Sequence, residues 1–569
     1  MVGLAIVLGI YSYLILALGL LGWLYRLPVF LVSLPFLVAG FFWIRKNWHF
    51  NYLNWVNLGF WGLWGLLGIQ VLINFLGAIS PELSFDALWY HLTPPKLYVQ
   101  NHQIFYIPGW LLWPANLPRF TEMFYTVALL FSNEILAKLI HFSFGILAAV
   151  ALFNLLKRYL SLRLSLLGVL TFYTMLMVGW QSTTAYVDLT RTFFEILALD
   201  LFLKWIETKK ENFLWEAGIL TGLAISTKIL AFGTLGTFGI LILLVSKDEK
   251  FKRLVKFVLL ALLVASPWLV LFRVAGPGLS WIAHDPGLSW TTPWLIQNLS
   301  KLPLLLWNAT IHPDDIISPV YLIFLPLVLI FILRQKLSIK TTALYCLLGA
   351  FFAPAASNRY LLPYLPGLTL LTFAVLDFYL KQKKILYPFA FNLQGVIPNG
   401  ALILGSNFNH KIILNSHLKT SVGIHHFAKS KQSGIEKLIL GIVIFSALLN
   451  TGSRGLATRK FLPYLLGQEN KTQFLVKHLN FSFGDFYDAD GWFSRNIKKD
   501  DLVLIYGIHN LYYVDFPYVH ESYALPGTYF THILVGDNQR LPEKFGPRLL
   551  LYQNPKTQVK LYLFGEKYQ

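Results

Sequence analysis

The stretch Ser80-Pro-Glu-Leu-Ser-Phe-Asp86-Ala-Leu-Trp-Tyr-His91-Leu-Thr-Pro-Pro-Lys96 sets the Asp86 carboxylate among aromatic side chains in a break between long apolar runs. A carboxylate beside Trp89 and Tyr90 at a water–lipid boundary is partly desolvated. That suits a general base taking a proton from a hydroxyl or amine. Asp86 also suits a helix N-cap, as does Ser84. His91, five residues on, can orient the acid or a substrate phosphate, or sit as a satisfied interfacial histidine.

Four other groups carry chemistry. In Thr183-Thr-Ala-Tyr-Val-Asp188-Leu-Thr-Arg191-Thr-Phe-Phe-Glu195, helical spacing puts Asp188, Arg191 and Glu195 on one face. Ionisable residues in a span cost about 2.5 to 3.5 kcal/mol each at its centre, so they face a polar cavity or one another. Asp188 is expected to act at the site with Arg191 near substrate, against an internal Arg191–Glu195 pair that neutralises itself. Lys228 closes Gly218-Ile-Leu-Thr-Gly222-Leu-Ala-Ile-Ser-Thr-Lys228 and can hold a phosphate as a point charge or snorkel to the interface. Arg359 and Tyr360 open Asn358-Arg359-Tyr360-Leu-Leu-Pro363-Tyr-Leu-Pro366, where the guanidinium fork suits phosphate oxygens and the competing role is an interfacial anchor. Asp314 and Asp315, in His312-Pro-Asp314-Asp315, are candidate substrate-binding acids. With His284-Asp285 in the same loop they could take a divalent cation, but this spacing is a weak metal signature and helix capping competes.

The elements that must position these residues are membrane helices. Of 569 residues, 56% are hydrophobic and 13% charged, which excludes a water-soluble globular protein. Apolar runs long enough to span recur at 2–24, 28–44, 53–79, 135–156, 164–181, 189–206, 213–229, 231–246, 254–274, 318–333, 341–356, 360–380 and 435–450. The reading is an all-α polytopic membrane protein of about 13 transmembrane helices. The first run is read as retained, since it lacks a basic flank and exceeds a signal-peptide core. The net charge of +19 does not point to nucleic acid, because the basic residues fall in short connections. With a cytoplasmic N-terminus, Arg45/Lys46, Lys157/Arg158/Arg163, Lys204/Lys209/Lys210, Lys247/Lys250/Lys252/Arg253, Arg334/Lys336/Lys340 and Lys381/Lys383/Lys384 all lie inside. Asp86, the loops 80–134 and 275–317, and the tail after 451 then lie outside. Proline and aromatic residues across 104–132 suggest short helices lying in the interface. Segment 385–434, basic and free of acids, reads as a solvated loop or a lipid-binding device. The single cysteine, Cys346, excludes a disulfide framework.

Residues 1–450 thus form a transmembrane domain, and 451–569 a small α/β extracytoplasmic C-terminal domain. Its strands are expected at Asp501-Leu-Val-Leu-Ile-Tyr, Thr531-His-Ile-Leu-Val and Arg548-Leu-Leu-Leu-Tyr.

Taken together, Asp86 after an early span, the proline-aromatic loop, Tyr-Val-Asp188, Gly-Leu-Ala-x-x-x-Lys228 and Arg359-Tyr360-x-x-Pro363 resemble the C-type (GT-C) membrane glycosyltransferases. The resemblance covers roughly residues 50 to 380, is closest to the lipid-carrier-dependent branch of aminoarabinose transferases and protein O-mannosyltransferases, and rests on motif order rather than any single motif. It implies an inverting transfer from a polyprenyl-phosphate-linked sugar to an acceptor lipid, glycan or protein on the outer face of the plasma (inner) membrane. By this likeness Asp86 and Asp188 are the catalytic acids and Lys228 and Arg359 contact the carrier phosphate; no cofactor is expected, and a divalent cation, though possible, has no support in the sequence. Two departures stand out: no second acid follows Asp86, and two spans precede the one entering the loop. The rival reading is a transporter or flippase of lipid-linked sugars, which would carry repeated halves and midplane charges.

Overall fold

The computed structural model describes residues 1–47, 58–275, 317–353, 358–391, 434–537 and 539–568. The helices begin with α1 (Val2–Leu20), α2 (Arg26–Asn47), α3 (Leu58–Ala78), α4 (Thr93–Asn101), α5 (Phe120–Phe131) and α6 (Glu134–Lys157). They continue with α7 (Leu162–Tyr173), α8 (Leu176–Gln181), α9 (Asp188–Thr208), α10 (Glu211–Thr227), α11 (Phe232–Val245) and α12 (Lys250–Ala275). Helices Pro319–Phe331, Leu337–Phe352, Leu365–Phe391 and Gly434–Thr458 complete the bundle. Among the described residues six helices are long and apolar enough to cross a membrane, and six shorter apolar helices accompany them. The chain is a multi-pass membrane protein; of about thirteen expected spans, six meet that measure. Helix α9 misses it because Asp188, Arg191, Glu195 and Asp200 interrupt an otherwise buried helix.

One local expectation gives way to packing. Residues 164–181 form two helices, since the chain turns extended at Met175 after Thr171 and Thr174 bond back to Leu167 and Leu170 carbonyls. Helix α5, within the stretch expected to lie in the interface, is enclosed by protein. It packs against α1, α4 and α6, with Phe120 and Phe124 on Phe144 and Phe194 and its polar Thr121, Glu122 and Thr126 buried. Helix Leu365–Phe391 enters segment 385–434, whose remainder lies outside the described residues. So do His284, Asp285, His312, Asp314 and Asp315.

The C-terminal sheet has strands β1 (Val503–Tyr506), β2 (Tyr518–His520), β3 (Tyr529–Val535), β4 (Leu550–Gln553) and β5 (Lys560–Lys567) in the order β2-β1-β3-β5-β4. The three expected strands are β1, β3 and β4. β1 is parallel to β2 and β3, and β5 is antiparallel to β3 and β4. The sheet shares its core with the loop between α3 and α6. Leu111, Leu112 and Ile107 pack with Val503, Ile505, Leu534 and Leu561 in one cluster, and Ala87, Leu88 and Tyr125 pack with Phe474, Leu475 and Tyr513 in another. Lys96 ties the two regions by donating to the Tyr512 and Val514 carbonyls at 2.7 and 2.8 Å and to the Asp515 carboxylate at 2.6 Å.

Candidate active site

Three breaks in regular helix converge on one cavity. The first is a single π-turn, Ala87–His91, closed by the Leu92 amide on the Ala87 carbonyl at 2.9 Å. Such widened turns concentrate at functional sites. This one places Asp86 so that Tyr90, four residues on, donates its hydroxyl to Asp86 Oδ2 at 2.8 Å. Burial, with the Asp86 carboxylate beside it, holds the Tyr90 hydroxyl well above its ordinary pKa, so it stays a donor.

The second break ends α10. Ser226 and Thr227 bond back to the Gly222 and Leu223 carbonyls, and Lys228 turns extended before the 3-10 turn Ile229–Ala231. Its ammonium meets Asp188 Oδ1 at 2.7 Å and lies 5.3 Å from the centroid of the Tyr360 ring. The third is the 3-10 turn Asn358–Tyr364, which precedes helix Leu365–Phe391 and carries Arg359 to Asp86, Nη2 to Oδ2 at 2.8 Å. The guanidinium also lies over Tyr186 and Tyr360, at 5.6 and 5.3 Å.

These groups border a cavity of about 310 Å³ lined by Asp86, Tyr90, His91, Lys228, Arg359 and Tyr360, with Trp89, Trp113 and Glu122 beside them. Six of the sequence-predicted residues therefore line one cavity or lie directly behind it. Asp188 is buried and does not line the cavity; it contacts the cavity wall through Lys228. Arg191 is not in the cavity wall. Its Nε donates to Glu195 Oε1 at 2.6 Å, and Glu195 Oε2 accepts from Thr234 at 2.8 Å, so the internal pair is the arrangement present.

Several residues that hold the site were not singled out from sequence. His91 Nδ1 pairs with Glu122 Oε1 at 2.7 Å, and Arg119, 3.6 Å from the same oxygen, donates to the Tyr90 carbonyl at 2.7 Å. Glu82 clamps two loops, accepting from the Leu83 and Ser84 amides and, through Oε2, from the Ala185 amide at 2.7 Å. Lys138 donates to the Gly77, Ser80 and Pro81 carbonyls where α3 ends. His141 Nε2 accepts the Leu189 amide at 3.1 Å, which leaves Nδ1 to donate to the Thr184 carbonyl at 2.9 Å and fixes the start of α9. One signal was available. Glu134, Lys138 and His141 fall at i, i+4 and i+7, a buried polar stripe on an apolar helix.

Among solved structures, the chain is similar to ArnT from Cupriavidus metallidurans bound to undecaprenyl phosphate, at 13% identity and a TM-score of 0.55, covering 87% of this chain and 97% of that one. The apo state of the same protein matches at 13% identity and a TM-score of 0.56, covering 89% and 98%. At this identity the likeness shows the fold, which is that of the GT-C glycosyltransferases. No sequence-family model matches the chain, and no curated protein matches it in sequence.

Proposed function

We propose that this protein is an inverting glycosyltransferase that moves a sugar from a polyprenyl-phosphate carrier to an acceptor on the outer face of the membrane. One observation carries the reading: two cations from distant helices, Lys228 and Arg359, meet an acid, Asp86, in one cavity among apolar helices. The similar fold of ArnT, a protein solved with undecaprenyl phosphate, supports the donor class.

In the free site each cation rests on a carboxylate. A phosphate entering the cavity competes with Asp86 for Arg359 and with Asp188 for Lys228, and Arg359 can bind two of its oxygens through the guanidinium fork. Asp86 is thereby released toward the acceptor. The acceptor oxygen attacks the anomeric carbon and its proton passes to Asp86, while the bond from that carbon to the phosphate oxygen breaks with its electron pair. The lipid phosphate leaves held by Lys228 and Arg359, which stabilise charge as it develops. A single displacement inverts the anomeric centre. Tyr90 and His91 orient the acid and its surroundings, and no step calls on a metal or cofactor.

The test is to incubate purified protein with a panel of polyprenyl-phosphate sugars and measure released lipid phosphate. Release from at least one donor, lost in Asp86→Asn, is expected. Silence across the panel together with no binding of undecaprenyl phosphate would sink the proposal.

A further inference from the structure

A second cavity, of about 420 Å³, lies beside the first and shares Trp89 and Trp113 with it. The two indoles are the common wall, and Trp89 is pinned by its Nε1 donating to the Leu111 carbonyl at 2.8 Å. One side of the cavity comes from the loop between α3 and α5, the other from the C-terminal sheet. Aromatic rings dominate it: Phe85 lies 5.2 Å from Phe483, and Trp110 lies 6.3 Å from His509. Trp110 and Phe483 remain 58% and 64% exposed, a high fraction for large rings at the rim of a formed cavity.

The polar groups come from the ends of β1 and β3. Gly507 and His509 follow β1, and Asp537 and Gln539 follow β3. From β1 the chain passes to β2 on one flank and then crosses to β3 on the other, so the carboxyl end of β1 is a topological switch point. Crevices outside such strand ends are where open sheets bind ligands. Glycines make this one possible. Gly507 has φ +70°, and a Cβ there would collide with Gln539, while a Cβ on Gly536 would stand 2.6 Å from the Gly507 carbonyl oxygen. Neither Asp537 nor His509 takes part in an ion pair or side-chain hydrogen bond among the described residues, so both are available to a ligand.

Flat exposed rings facing a carboxylate, an imidazole and a primary amide match one chemical class. A saccharide offers apolar C–H faces to stack on indole and phenyl rings, and hydroxyls to bond with the polar set. We infer that this cleft binds the saccharide part of the acceptor and delivers its hydroxyl past Trp89 and Trp113 to Asp86, an inference that rests on the glycosyl transfer proposed above. The C-terminal sheet then supplies half of the acceptor site.

The experiment uses the full-length protein in detergent. Saturation-transfer NMR is recorded with maltose, chitobiose, mannobiose and lactose, and thermal stabilisation by undecaprenyl phosphate is measured in parallel. At least one disaccharide is expected to bind saturably, with the strongest transfer to ring C–H protons. Trp110→Ala and Asp537→Asn should each weaken it by about tenfold or more, with stabilisation by undecaprenyl phosphate unchanged. Asp537→Asn, nearly isosteric and at the surface, keeps the test valid should Trp110→Ala fail to fold. Silence of all four disaccharides, or binding that both variants leave intact, overturns the inference. A parent protein that neither binds undecaprenyl phosphate nor releases it from the donor panel would instead sink the transfer reading itself.

Discussion

Two carboxylate–guanidinium pairs of similar length sit in opposite circumstances. Arg191–Glu195, at 2.6 Å, is an i,i+4 pair on α9, enclosed on all sides, with Glu195 also bonded by Thr234, which in turn meets Tyr364 at 2.9 Å. Asp86–Arg359, at 2.8 Å, joins residues far apart in sequence and faces a cavity. The closed pair is buried, its side chains 2% and 0% exposed, so no ligand exchanges into it. The open pair can be separated by an anion that replaces the carboxylate. Chemistry of the side chains does not distinguish them; access does.

The largest effect expected from that contrast is on turnover. Asp86→Asn removes the proton acceptor and keeps the shape, so lipid-phosphate release should fall by about three orders of magnitude with the thermal midpoint and donor binding retained. Full turnover in this variant would make the open pair as inert as the closed one.

The closed pair should answer in stability. Arg191→Ala strands the buried Glu195 and is expected to cost about 3–5 kcal/mol, whereas the double change Arg191→Leu with Glu195→Leu should recover most of it. Denaturation in mild detergent measures both. A stable Arg191→Ala protein with weakened donor binding would return Arg191 to the substrate site and erase the distinction.

Lys228 and Asp188 sharpen the comparison from between its extremes. Lys228→Met should raise the donor KM by about tenfold, and Lys228→Arg should recover part of it, because the cation meets phosphate as a point charge. Asp188→Asn should do no more than Lys228→Met, since it acts by holding that ammonium. A loss in Asp188→Asn well beyond that of Lys228→Met, measured as kcat, would give the acid a role of its own.

The sequence carried the cavity's charged residues further than their supports. Asp86, Lys228 and Arg359 were legible because a charge at the end of an apolar run is costly and demands a reason. Arg191 met the same criterion, and sequence alone could not say whether its reason was a ligand or Glu195. Glu82 and Glu122 were not legible, since each acquires meaning only from a partner that folding brings in: the Ala185 amide and His91. The same holds in the sheet. β1 and β3 are apolar runs that announce themselves, while β2 is three residues after Pro517 and β5 ends in Gly565, Glu566 and Lys567, all exposed. The enclosure of helix α5 was not legible, because proline and aromatic content does not say what packs on a helix; its neighbours α1 and α6 supply that.

The smallest expected effect concerns the seam between the loop and the sheet. Gly109, at φ +88°, packs so closely on the Ser522 carbonyl that no Cβ fits, which docks the loop on the 3-10 turn Glu521–Tyr523. Burial raises the Glu521 carboxyl from about 4.5 to about 6, with Lys544 and the Gly507 amide opposing the shift. A carboxyl whose folded pKa is raised binds its proton more tightly in the native state. Its stabilising contribution is therefore full below about pH 4.5 and is lost as pH rises through about 6. Hydrogen exchange across residues 518–524 should quicken between pH 5 and 7, beyond the intrinsic rate change, by less than about tenfold because Glu521 is half exposed. Glu521→Gln should flatten that excess while leaving lipid-phosphate release unchanged, since Glu521 borders neither cavity. An excess that persists in Glu521→Gln would move the titration to another group, with His532 on β3 and Asp501 just before β1, 3.9 Å apart, next to be examined.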